Sequence, residues 1–366
     1  MRIAFRVDAS VEIGTGHVMR CLTLADALRS HGVESEFICR PHRGHLGALV
    51  QSRGHCLRWL PQASTASSEG EEGEVLAHSS WLGCSWRQDA EDTLAVLKQR
   101  RPDWLIIDHY AIDIRWERMA RPLCGSLMVI DDLADRHHDA DVLLDQNWHG
   151  DAQACRYRAL VPGRCRTLLG PRYALLSSEY QLLRNLMPPR DGVVKRVLLF
   201  FGGGDPSNVT GKVLDALCRP EFGHLALDIV LGVNHPCPDT IRVQAAHRGE
   251  AVVHQGLPSL AGLMCRADLM ISAGGSTSWE RMCLGLPGVV IAVADNQVGA
   301  NEALSWAGYI SFLGHLDDLQ MQVLMQSVME AIKSGERLRE QSRRCQALVP
   351  GDGAERVFCA LLNADS

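Results

Sequence analysis

The sequence predicts an α/β protein of two parallel-sheet domains, and three observations carry that expectation. Strand-like apolar runs alternate with helix-like amphipathic runs in both halves, the pattern of βαβ units. A strand, a glycine turn and a helix open the chain, and the same succession restarts at Lys195. With 366 residues, 46% hydrophobic and 22% charged, the chain is long and apolar enough to bury the cores of two ordinary domains. The linker is expected at Met187 to Gly192, dividing the chain into 1–190 and 191–366, with the last helix packing back on the first domain.

The first strand runs from Met1 to Val7 and ends in a turn containing Gly14 and Gly16. A helix then starts near His17, with Val18, Cys21, Leu22, Ala25 and Leu28 on one face at close to 3.6-residue spacing. Pro61 to Ser80 is rich in Ser, Gly and Glu and reads as a solvated loop. Trp104 to Asp108 and Leu127 to Asp131 read as buried strands, each ending in an acid at the sheet's carboxyl edge. The second start, Lys195 to Phe201, enters the turn Gly202 to Asn208 and a helix with Val209, Val213, Ala216 and Leu217 on one face. Later, a helix near Leu263 leads to a strand ending at Ser272. Gly274 and Gly275 open another helix, and Gly285 to Pro287 closes it before a strand over Val289 to Val293. Leu338 to Leu362 is expected to be helical, interrupted at Pro350 to Gly353.

Chemistry concentrates at the glycine turns. His17 falls at a strand's carboxyl edge, where open α/β sheets bind ligands, and the positive end of its helix disfavours imidazolium. It reads either as a neutral imidazole able to take a proton or as a residue that merely caps a tight Gly14–Gly16 turn. Asp8 is placed either to orient His17 or to bind a sugar hydroxyl. Around Ser276, Gly274 and Gly275 allow close backbone approach, and the free amides of the helix start suit a diphosphate. Glu280, four residues on from Ser276, shares its helix face and is placed to accept both hydroxyls of a ribose.

Composition excludes several classes. Net charge is −6 with scattered basic residues, which is no footprint of a nucleic-acid binder. Met1 leads directly into a strand without a basic and apolar leader, and no apolar run approaches the ~20 residues that cross a bilayer, so a cytoplasmic protein without membrane contact is expected. Thirteen cysteines are an odd count with no C-x-x-C pair, which favours reduced thiols. The run Arg136 to Asp141 groups histidines and acids without the spacing of a metal-binding helix, so no metal and no cofactor are expected. Ser276 lacks the glycine two residues on that a serine nucleophile elbow requires.

The stretch from Leu263 to Ile291 resembles the UDP-binding segment of GT-B nucleotide-sugar enzymes. A wider likeness rests on Arg6 and Asp8, Gly14 to His17, Asp108 to Tyr110, Asp131 and Asp132, Leu169 to Leu176, Gly203 to Asp205, Ser272 to Glu280, and Asn296 and Gln297. Together these segments resemble the pseudaminic-acid pathway UDP-sugar hydrolases. The resemblance implies a GT-B fold, two Rossmann-like domains facing across a cleft, and hydrolysis of UDP-2,4-diacetamido-2,4,6-trideoxy-β-L-altropyranose. It implies His17 as the base that activates water. Asp8, Gly14, Gly16, Tyr110, Asn296 and Gln297 fall on the sugar side, and Gly203, Gly204, Asp205, Gly274, Gly275, Ser276 and Glu280 on the UDP side. Ser177 to Tyr180 departs from the Arg and acid-aromatic pair the family often has there. A UDP-sugar glycosyltransferase and a non-catalytic nucleotide-sugar binding module are the alternatives.

Overall fold

The computed structural model describes residues 1–62 and 76–363, which form two compact units. The first comprises Met1–Asn147, Asp151–Ser177 and the chain from Asp352 on; the second comprises Trp148–Gly150 and Ser178–Gly351. The changeover at Ser177/Ser178 precedes residue 190 because the helix Ser178–Leu186 packs on the helices Ala261–Arg266 and Thr277–Cys283.

In the first unit, β1 (Arg2–Val7), β2 (Glu34–Cys39), β3 (Cys56–Trp59), β4 (Trp104–Asp108), β5 (Ser126–Ile130), β6 (Val142–Asp145) and β7 (Arg166–Leu169) make one sheet. Its order is β3-β2-β1-β4-β5-β6-β7, and every adjacent pair is parallel. Trp104 to Asp108 is buried throughout, as an uninterrupted apolar run demands of a strand covered on both faces. Strand order reverses direction between β1 and β4, whose carboxyl ends pair at Val7 and Asp108. A reversal of this kind leaves a crevice at the carboxyl edge, because the helices that follow the two strands cover opposite faces of the sheet.

The helix Gly16–Ser30 buries the apolar face read from its spacing, including Val18, Cys21, Leu22, Ala25 and Leu28. The helix Gly353–Leu362 completes the same core through Ala354, Val357, Ala360 and Leu361. Gly353 sits so close to the backbone of Tyr173 and Ala174 that no side chain fits there. Most of the loop expected over Pro61 to Ser80 falls in 63–75, outside the described residues; at its end, Ser79–Leu82 forms a short 3-10 turn.

In the second unit, β8 (Arg196–Phe200), β9 (Ala226–Leu231), β10 (Ala251–Gln255), β11 (Leu269–Ala273), β12 (Gly288–Ala292) and β13 (Ser311–His315) form the sheet β10-β9-β8-β11-β12-β13, again parallel. Its direction reverses between β8 and β11, and the two glycine turns, Gly202 to Asp205 and Gly274 to Ser276, follow those two strands. No helix among the described residues is long and apolar enough to cross a membrane.

Candidate active site

In the first unit, the β1 turn and the β4 end bring an imidazole and a carboxylate together. Gly14 takes a left-handed φ of 79°, and its N–H donates to the Ser10 carbonyl at 2.9 Å, which closes the turn. His17 then stands in the first turn of its helix, with Nδ1 2.5 Å from Asp108 Oδ1. Arg20 Nη2 also lies 3.2 Å from Nδ1, but the shorter contact with the carboxylate puts the proton on Nδ1, so Nε2 is the acceptor in the neutral ring. Nε2 has no partner among the described residues, and the His17 side chain is 9% exposed.

Arg20, one turn further on, fixes Asp108 from the other side. Its Nε donates to Oδ2 at 2.6 Å and its terminal nitrogen to Oδ1 at 2.7 Å, the bidentate geometry a guanidinium offers a carboxylate. Arg20 also reaches Asp132 Oδ2 at 3.1 Å, and Asp132 accepts the Tyr110 hydroxyl. Burial pushes the Asp108 carboxyl up, but the charge of Arg20 and the His17 contact outweigh it and hold the group far below the usual carboxylate range. Burial and Asp132 push the Tyr110 phenol far up, so it stays protonated and donates.

Asp8 belongs elsewhere. It is fully buried, 2.8 Å from Arg6, with Oδ1 accepting the Arg40 N–H at 2.7 Å. Burial alone raises its pKa, yet Arg6, His109 and His42 bring it well below the carboxylate range. Both roles considered for Asp8 are therefore corrected: Asp108 orients His17, and no exposed oxygen of Asp8 is left for a sugar hydroxyl. The sequence places Asp108 at a strand's end and in a segment of the family likeness, but does not pair it with His17, because a partner 91 positions away becomes a neighbour only through the β1–β4 pairing.

In the second unit, Gly274 lies against the Asn301 amide, so closely that a Cβ would overlap it. Asn301, almost wholly buried, donates to the Gly274 carbonyl at 3.1 Å and the Gln297 carbonyl at 2.6 Å, stapling the turn to the helix Val298–Trp306. Asn301 was not singled out from the sequence; its signal is a polar residue on a helix's buried face. Gln297 uses Oε1 to accept the Val293 N–H at 3.1 Å, and Asn296 is exposed in the turn Asp295–Gln297. Ser276 is exposed, and open space surrounds the Cβ direction of Gly203.

Burial pushes the Glu280 carboxyl up to about 7, against a hydrogen bond from Tyr180 and with a smaller upward push from Glu179. The folded state thus holds a proton that the unfolded chain, with its ordinary value of 4.5, has already lost. Apo stability therefore falls as pH rises from about 4.5 to about 7. Glu280→Gln is expected to flatten that decline in thermal melts, and an unchanged slope would refute the assignment.

In the Gly203 to Asp205 turn, the Asp205 side chain is engaged within its own unit. Its two carboxylate oxygens accept the N–H groups of Val209 and Thr210, each at 2.8 Å, and the side chain is buried. Both oxygens thus serve first-turn amides of the helix Val209–Leu217, whose N-cap is Asn208, its own side chain accepting the Gly211 N–H at 3.2 Å. Asp205→Ala leaves two buried first-turn N–H groups without their acceptor and should cost about 1–3 kcal/mol of stability while leaving UDP affinity unchanged. Calorimetric UDP titration beside a denaturant melt separates the two effects.

With both sheets and both glycine turns described, the architecture is defined: the chain has the GT-B fold. MurG of Acinetobacter baumannii superposes with a TM-score of 0.69 at 13% identity, covering 99% of each chain. No protein-family model matches the chain. The spore coat polysaccharide biosynthesis protein SpsG of Bacillus subtilis is 24% identical over 367 residues, 99% of this chain and 98% of the relative. The UDP-2,4-diacetamido-2,4,6-trideoxy-β-L-altropyranose hydrolase of Campylobacter jejuni is 23% identical over 312 residues, 84% of this chain and 98% of the relative. An uncharacterized protein of Methanocaldococcus jannaschii is 27% identical over 299 residues, 80% of this chain, which spans about half of that relative, 55%.

Proposed function

We propose that the protein is a nucleotide-sugar enzyme that hydrolyses a UDP-linked 2,4-diacetamido-2,4,6-trideoxy sugar, the altropyranose named for the Campylobacter jejuni relative being the first candidate. The observation that carries the reading is the His17–Asp108 pair at the carboxyl edge of β1 and β4. A carboxylate that accepts the Nδ1 proton leaves Nε2 as a base, which is what activation of water requires. The second unit contributes the nucleotide cradle: the backbone of Gly203, Gly204, Gly274 and Gly275, Ser276 at the start of its helix, and Glu280 for the ribose.

In this reaction water attacks C1 as His17 Nε2 takes its proton. The new C1–O bond forms, the C1–O bond to phosphate breaks, and its electron pair leaves with UDP. Diphosphate is a good leaving group, so amides beside Ser276 suffice to absorb the developing charge. Tyr110 lines the sugar side with its ring, since its hydroxyl is held by Asp132. A single displacement by water inverts C1.

The test is UDP release from a panel of UDP-sugars without any acceptor. Release from the diacetamido sugar, with label from ¹⁸O-water appearing in the sugar, is the expected result. Release only when an acceptor alcohol is supplied would make the protein a transferase. Label in UDP would place attack at phosphorus, and binding without turnover would leave a binding module.

A further inference from the structure

The turn Ser79–Leu82 delivers an aromatic residue to the catalytic edge that the mechanism above does not use. Trp81 stacks on Tyr110, with ring centroids 5.7 Å apart and planes 28° from parallel. Tyr110 in turn meets His17 edge-on at 4.6 Å, and His78 lies 4.4 Å from Trp81. With Trp81 also 6.4 Å from His17 and His78 5.5 Å from Tyr110, the four rings form one cluster around the base. Tyr110 offers the cluster an apolar surface, because Asp132 holds its hydroxyl.

Trp81 differs from the core tryptophans in a way that bears on ligands. Trp104 and Trp116 are wholly buried, and the Trp116 indole N–H donates to Asp89 at 3.0 Å. Trp81 keeps part of its surface exposed, and its indole N–H has no partner among the described residues. A tryptophan therefore presents, beside the base, a large apolar face and one unused donor. An acetamido group is the complement of that pair, with a methyl for the ring and a carbonyl oxygen for the N–H. A sugar hydroxymethyl offers no comparable match to the apolar face.

We propose that Trp81 is a specificity-determining residue that selects, at the site of His17, sugars bearing acetamido and deoxy substituents. The inference rests on the functional reading above in one respect, that a nucleotide-linked sugar is brought to His17. Trp81, the wall of the sugar site in this proposal, discriminates by ring contact and by one hydrogen bond, so both parts of the side chain contribute. Trp81→Phe keeps a ring and removes the donor; Trp81→Ala removes both.

The experiment measures affinity in the His17→Asn background, where turnover does not deplete ligand. UDP, UDP-glucose and the UDP-linked 2,4-diacetamido-2,4,6-trideoxy sugar are titrated calorimetrically. Trp81→Ala should weaken the diacetamido sugar by about 10-fold or more, with Trp81→Phe falling between it and the parent. UDP and UDP-glucose should change by no more than about twofold, since neither carries the groups the wall recognises. Equal losses for all three ligands, or no loss for the diacetamido sugar, would overturn the proposal. A separate turnover assay on the unmodified protein keeps the two ideas apart. Hydrolysis without Trp81-dependent selectivity sinks the wall and leaves the hydrolase; Trp81-dependent binding without hydrolysis sinks the hydrolase and leaves the wall.

Discussion

His17→Asn should lower kcat by about 10²–10⁴-fold, the usual worth of a positioned general base, while UDP affinity stays within about twofold. The asymmetry follows from where the residue sits. His17 belongs to the first unit, and the groups proposed to hold UDP all lie in the second. Asparagine keeps the short polar body and offers its amide to Asp108, so the turn around Gly14 need not move. Steady-state turnover and calorimetric UDP titration on the same preparation decide the matter. Loss of affinity with normal turnover would mean that His17 is a turn residue and nothing more.

Asp108→Asn should be the most damaging single change, because it acts on chemistry and stability together. The carboxylate fixes the His17 tautomer; an asparagine that turns its NH₂ toward Nδ1 moves the ring proton to Nε2 and removes the base. We expect a loss in kcat of about 10²–10⁴-fold on that account. Arg20 loses its bidentate partner and keeps only Asp132, 3.1 Å away, so a nearly buried guanidinium is left under-neutralised. Breaking a buried pair in this way costs about 3–5 kcal/mol, which a thermal melt reads directly. The double variant His17→Asn/Asp108→Asn should turn over no more slowly than His17→Asn alone, since Asp108 works through His17. Multiplied losses would mean that the two residues act separately. Because the folded-state Asp108 pKa is depressed, its stabilising effect is present above the ordinary carboxylate range and lost only as pH falls through and below it. A fall in activity near neutral pH is therefore not the titration of Asp108.

Much of the scaffold was legible because buried parallel strands and amphipathic helices leave strong periodic signals. Trp104 to Asp108 appears at the strand boundaries read from its apolar run, and the Gly16–Ser30 helix buries the stripe expected of it. Gly285 to Pro287 ends a helix before β12, as the pairing of a helix-stopping glycine with proline implies. The linker was less legible. Pro188 and Pro189 mark a break in local propensity, but the helix before them joins the second unit through packing that propensity does not encode.

The site divides in the same way. Which residue types stand at which sheet edge was determined by the sequence alone: an imidazole after a glycine turn, acids ending β4 and β5, and paired glycines before a helix. Those are local facts, fixed by φ/ψ freedom and by the two- and 3.6-residue periods. Which carboxylate serves His17 was decided only by the tertiary structure. Asp8 follows β1 and Asp108 ends β4, yet Arg6 draws Asp8 into a buried ion pair while β1–β4 register sets Asp108 against the imidazole. The Arg6–Asp8 pair is local in sequence, but the β1–β4 register that sets Asp108 against His17 joins residues 91 positions apart, and no short window of sequence contains both.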